Sequence, residues 1–137
     1  MRATALAVLL ALAVLAAAPV ARAADCPLDL GHGTGLVVFS EHFILAVRSD
    51  PAVIEVGQPV VLHLNVCTKG GEAAELTKVD AQLDEANVIE ETRIVRGANG
   101  RYRVEGLTFT SAGSWEIGFE VSAGGQAERL THDLIAK

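Results

Sequence analysis

The sequence predicts an all-β domain, a two-sheet antiparallel β-sandwich of seven to eight strands, on three observations. Apolar and polar residues alternate at period two, the pattern of strands with one buried face. Clusters of Gly, Pro, Asn and Asp interrupt these stretches at roughly ten-residue spacing, as in sandwiches. Beyond an apolar leader, no segment carries a helical apolar stripe. The chain has 137 residues, 50% hydrophobic, 4% aromatic and 20% charged. That is one domain's length, and the composition belongs neither to a disordered chain nor to a polyelectrolyte.

The leader comes first. Met1-Arg2 is a short positive start, Ala3–Ala18 is apolar, and Pro19 is followed by Ala21-Arg22-Ala23. The small-x-small ending is that of a signal peptidase site, and the apolar run is shorter than the ~20 residues that span a bilayer. Residues 1–23 are therefore expected to be a signal peptide, residues 24–35 a lead-in, and residues 36–137 the sandwich. The protein is expected to be exported, to the periplasm or cell envelope. Export gives meaning to the only two cysteines, Cys26 and Cys67: an oxidising compartment favours a disulfide that ties the lead-in to a strand end. A thiolate metal site with a nearby histidine is the alternative. Without Arg2 and Arg22 the net charge of −6 becomes −8. An acidic domain lacking a basic run is a poor match for nucleic acid or an anionic membrane surface.

Strands are expected at Leu36–Phe39, Phe43–Val47, Val60–Val66, Thr77–Leu83, Val88–Val95, around Tyr102, at Trp115–Val121 and at Arg129–Ile135. In Val60–Val66, Leu62, Leu64 and Val66 share one face, and Val61, His63 and Asn65 the other. Thr77, Val79, Ala81 and Leu83 oppose Lys78, Asp80 and Gln82, and Val88–Val95 is less regular. Trp115, Ile117, Phe119 and Val121 form the cleanest stripe. Lys69-Gly70-Gly71, Ala98-Asn99-Gly100, Ser111-Ala112-Gly113 and Gly124-Gly125 supply the turn chemistry. Pro51 and Pro59 flank the short stretch Val53–Val56, and Glu72–Leu76 has room for one helical turn.

The segment Gly100-Arg101-Tyr102 through Leu107-Thr108-Phe109, followed by Gly113-Ser114-Trp115-Glu116-Ile117, resembles the YtkA-like domain. This is a small immunoglobulin-like sandwich of exported bacterial proteins, and FixH-like proteins share a related ending. The resemblance covers residues 42–135 and implies an immunoglobulin-like topology with Tyr102, Trp115 and Phe119 in the core. Tyr102 is expected to give its hydroxyl to a loop backbone, and the Trp115 indole N–H to need a partner. The family's Met- and His-rich segments are missing: Leu83–Val88 and Thr110–Gly113 stand in their places. The only methionine is Met1. Copper-type chemistry, which needs soft or imidazole donors, does not transfer by position; the scaffold does.

Four histidines remain as candidates. A metal site, of copper type if the resemblance extends so far, would join His32, in Gly31-His32-Gly33-Thr34-Gly35, with His42 and His63. No pair has a spacing that preassembles ligands on one element. His132 shares parity with Leu130 and Leu134 and reads as a core or edge residue. The glycine run follows no strand and lacks dinucleotide spacing. Asp80, Asp84, Glu85, Glu90 and Glu91 cluster in sequence without a calcium-loop pattern; Arg93, Arg96, Arg101 and Arg103 are expected to neutralise part of this patch. No nucleophile elbow or His-x-x-x-His pair is present, so the protein is not expected to be an enzyme. The leading expectation is a non-catalytic accessory or binding protein of the cell envelope that engages a protein partner. A small periplasmic metal carrier is the alternative.

Overall fold

The computed structural model describes Cys26 and residues 35–137; the expected signal peptide and His32 lie outside the described residues. Nine strands form in chain order: β1 (Leu36–Phe39), β2 (Phe43–Asp50), β3 (Pro59–Thr68), β4 (Glu75–Gln82), β5 (Val88–Ile89), β6 (Arg93–Arg96), β7 (Arg101–Thr108), β8 (Gly113–Ala123) and β9 (Gln126–Ala136). They build a five-stranded sheet in the order β1-β2-β3-β7-β6 and a four-stranded sheet in the order β5-β4-β8-β9, with every strand pair antiparallel. The two-sheet sandwich is as the alternation predicts, with nine strands rather than seven or eight.

The extra strand comes from the irregular stretch Val88–Val95. It divides into β5, beside β4, and β6, beside β7 in the other sheet. Thr92, between them, donates its hydroxyl to the Val79 carbonyl at 2.9 Å and fixes the crossing. Two other expectations are corrected. Glu72–Leu76 makes no helical turn: Ala73 bridges Cys67 and β4 begins at Glu75. Thr77 does not join the core stripe of β4, because the register shifts between Leu76 and Lys78. A bulge puts one extra residue on its strand, so Leu76 and Val79 are both buried while Thr77 is exposed, its hydroxyl bonded to the Glu120 carbonyl at 3.1 Å.

The core lies between the sheets. Leu45, Leu62, Leu64, Val66 and Val104 from the first sheet meet Val79, Trp115, Ile117 and Phe119 from the second, all essentially inaccessible to solvent. Phe109 and Trp115 pack edge to face with centroids 5.1 Å apart, a favoured aromatic geometry. Pro59 opens the central strand β3, the position where a strand tolerates a missing N–H donor. The β6–β7 turn places Asn99 and Gly100 at positive φ, 55° and 76°, as Asn-Gly hairpins require.

The two edges of the sandwich are bridged by side chains. On one, Arg96 of β6 meets Glu75 of β4 at 3.2 Å. On the other, His42, just before β2, meets Glu128 of β9 at 3.2 Å. Ile54 lies beside Ala136 in a parallel bridge, so the proline-flanked stretch extends the four-stranded sheet at the end of β9.

Candidate functional site

The residues expected to be structural are so placed. Cys26 and Cys67 form a disulfide with Cα atoms 5.8 Å apart, and the Cys26 N–H donates to the Gly71 carbonyl at 3.0 Å. Tyr102 is buried and donates its hydroxyl to the carbonyl of Ala74, in the connection before β4, at 3.2 Å. The Trp115 indole N–H donates to the Ser111 carbonyl at 2.9 Å. Phe119 is fully buried. Tyr102, Trp115 and Phe119 plug the interior, and the described depressions lie on the surface, such as the one formed by Pro51, Val53, Glu55, Gln58 and Pro59.

The structure does not bring His42 and His63 together. His63 faces Arg48 across the β2–β3 ladder, six residues along from His42, which at ~3.3 Å per residue is about 20 Å. One metal ion cannot take both. His42 instead sits between Glu41 and Glu128. One ligand atom from each of the three lies within 4.8 Å of the others, and Glu128 also accepts the His42 backbone N–H at 3.2 Å. His132 is half-buried on β9 opposite Ile117, as its parity predicts.

The acidic residues do not converge either. Asp80, on β4, is held by both terminal nitrogens of Arg129 at 2.7 and 2.8 Å; this hydrogen-bonded guanidinium keeps the Asp80 carboxyl below its usual range, against the opposing effect of burial. Asp84 accepts from the Asn87 side chain and from the Ala86 and Asn87 N–H groups, a turn-forming role that lowers its pKa, with the Asn87 side chain contributing most. Arg96 and Arg103 are held instead by Glu75 and Glu105, and among the described residues neither Arg93 nor Arg101 pairs with a carboxylate of this patch.

What the strand register assembles there is a basic row. Leu62 and Leu64 face the core, so His63 faces outward, and so do Arg48, next to buried Val47, and Arg103, between buried Tyr102 and Val104. Arg48 pairs with His63, and His63 with Arg103, across three adjacent strands. His63 Nε2 lies 4.0 Å from Asp50. Burial, then the Arg48 charge, with a smaller push from Arg103, holds the imidazole pKa below its usual value despite Asp50. Arg103 pairs through Nε with Glu105 at 2.9 Å. Arg48 makes no ion pair among the described residues, and its buried Nε has no hydrogen-bond partner. No sequence signal singled out this row, since it joins positions 15 and 40 residues apart.

The same outer face carries an apolar edge. On the edge strand β1, Val37 is 44% and Phe39 65% exposed, with Phe39 beside Ile44 of β2.

No protein-family model, no curated protein and no solved structure matches this chain.

Proposed function

We propose that the domain is a non-catalytic accessory protein of the cell envelope that binds a protein partner through the β1 edge of its five-stranded sheet. The observation that carries this reading is Phe39, a large aromatic side chain held mostly in solvent on a four-residue edge strand. Exposed edge strands and apolar patches are the surfaces through which other chains add to a sheet. The likeness of Gly100–Phe109 and Gly113–Ile117 to the YtkA-like pattern supports an exported scaffold, as does the disulfide.

Comparative capture tests this. The oxidised protein and its Phe39→Glu variant are each crosslinked in envelope extract. The reading expects a partner held by the native chain and lost by the variant, which should fold normally because Phe39 is exposed. Equal capture by both, or by neither, ends it.

The second reading, a metal carrier, draws on Glu41, His42 and Glu128. One imidazole and two carboxylates suit Zn²⁺ or Cu²⁺ and do not suit Cu⁺, which prefers sulfur donors. Titration with Zn²⁺ and Cu²⁺ should then give micromolar or tighter binding that His42→Ala abolishes. Weaker binding, or binding indifferent to that change, removes this reading.

A further inference from the structure

We infer that the outer face of the five-stranded sheet is the docking surface for an acidic segment of a polypeptide partner, whose carboxylates are taken by Arg48 and Arg103 on either side of His63. The inference rests on the proposal that the domain binds a protein, and it names the chemistry of what is bound.

The row's geometry comes first. Arg48, His63 and Arg103 occupy neighbouring positions on β2, β3 and β7, so at ~4.8 Å between strands the two guanidinium-bearing positions stand about 10 Å apart. Carboxylates two residues apart on an extended segment are about 7 Å apart, a separation that flexible arginine side chains can meet from both sides. The next row brings Arg101 opposite Asn65 on the same face.

The second point is the state of the donors. Of the arginines on β6, β7 and β9, Arg96, Arg103 and Arg129 each hold a carboxylate, and Arg93 and Arg101 hold none among the described residues. Arg48 holds none among the described residues and buries an Nε–H with no acceptor. Buried donors are paired in the great majority of cases, and a guanidinium offers five N–H groups arranged to meet carboxylates in pairs.

Charge decides the class of occupant. The whole chain carries −6, yet this face sets Arg48, Arg93, Arg101 and Arg103 against Asp50 and Glu105, a surplus of two positive charges before His63 is counted. A continuous polyanion, such as a nucleic-acid backbone or an anionic bilayer, would lay charge against Asp50 and Glu105 as well, and against the acidic remainder of the molecule. A short segment with spaced carboxylates avoids both.

The probe is hexaglutamate, titrated into the oxidised protein at low and moderate salt, with hexaglutamine and inorganic phosphate in parallel. Hexaglutamate should bind, more weakly as salt rises, and the Arg48→Ala/Arg103→Ala pair should lose at least tenfold in affinity. Arg48→Lys should retain part of the binding, and Lys78→Ala, on the opposite sheet, all of it. Binding should raise the His63 pKa, read by NMR against the charges that face it, Arg48, Asp50 and Arg103; loss of a purely structural arginine would leave that response intact. The inference is overturned by no binding, by equal binding of hexaglutamine, by phosphate matching hexaglutamate, or by affinity unchanged in the double variant. Failure here leaves the Phe39-dependent partner standing, whereas failure of the Phe39 capture with hexaglutamate still bound leaves the basic row as a carboxylate site that does not use the β1 edge.

Discussion

The two outer faces of the sandwich use arginine in opposite ways. On the four-stranded sheet, Arg129 lies flat across β8 and grips Asp80 of β4 with both terminal nitrogens. Gly118 makes this possible: a Cβ there would collide with the guanidinium. On the five-stranded sheet, Arg48 stands beside His63 in a row that ends in Arg103; Arg103 holds Glu105, but Arg48 holds no carboxylate among the described residues. On the first face the arginine is held by a carboxylate of its own sheet; on the second, Arg48 keeps a buried donor without a partner, on the sheet whose edge carries the exposed Phe39. Sheet faces with the same residue types thus divide into a closed one and an open one, according to whether the neighbouring strand makes room for the side chain to lie down.

The largest effect comes from what both faces share. Trp115→Ala empties the centre of the core and breaks the edge-to-face contact with Phe109, so denaturant unfolding should show a loss of about 3–5 kcal/mol. A loss under roughly 1 kcal/mol would mean that the two faces are not braced by this residue. Next, Cys26→Ser/Cys67→Ser opens a link of sequence separation 41, worth about 4 kcal/mol by chain entropy and often less in practice. It acts on the open face, since Cys67 shares the outward parity of His63.

Gly118→Ala sharpens the comparison more directly. Glycine weakens a strand interior, so the change alone should stabilise. Here the new methyl group pushes the mobile Arg129 guanidinium off Asp80, which offsets that gain, and the expected result is a net loss under about 1 kcal/mol. In an Arg129→Ala background the same change should become neutral or stabilising, a coupling that a double-mutant cycle measures. If the two losses simply add, the closed face is not built around that glycine.

The stripe from Trp115 to Val121, the inward set of β3 and the Tyr102 hydroxyl bond were legible in the sequence because period-two burial and hairpin chemistry are local. Thr77 misled because a bulge leaves no mark on an alternation that resumes one residue later. Val88–Val95 looked like one strand because Glu90, Glu91 and Thr92 give no sign that the chain changes sheets between Ile89 and Arg93. The basic row and the Glu41–His42–Glu128 group were hidden for another reason. Each joins residues from distant parts of the chain, and only strand register and sheet packing put them side by side. Parity placed His63 correctly outside, but it could not say that its neighbours there are arginines.

The smallest effect separates the faces by pH. Asp80 has a lowered native pKa, chiefly through Arg129. The native state then binds fewer protons than the unfolded chain, so the pair's contribution is present above the ordinary carboxylate value of 3.8 and fades as pH falls through the lower native one. His63 also has a lowered native pKa, through burial and Arg48. Its linkage has the same sign, but in a window that starts at the ordinary imidazole value of 6.5 and runs downward to the native one. Acidification should therefore cost the open face first and the closed face later. His63→Gln should gain on the native protein as pH drops from 7 towards 5, while Asp80→Asn should be less stable at neutral pH and converge with it only in stronger acid. Both differences should be small, under about 1 kcal/mol for the partly exposed Asp80 pair. Hexaglutamate should narrow the first difference, because carboxylates beside His63 offset Arg48 and Arg103, and should leave the second unchanged. If both differences respond, or neither does, the acidic probe does not distinguish the two faces.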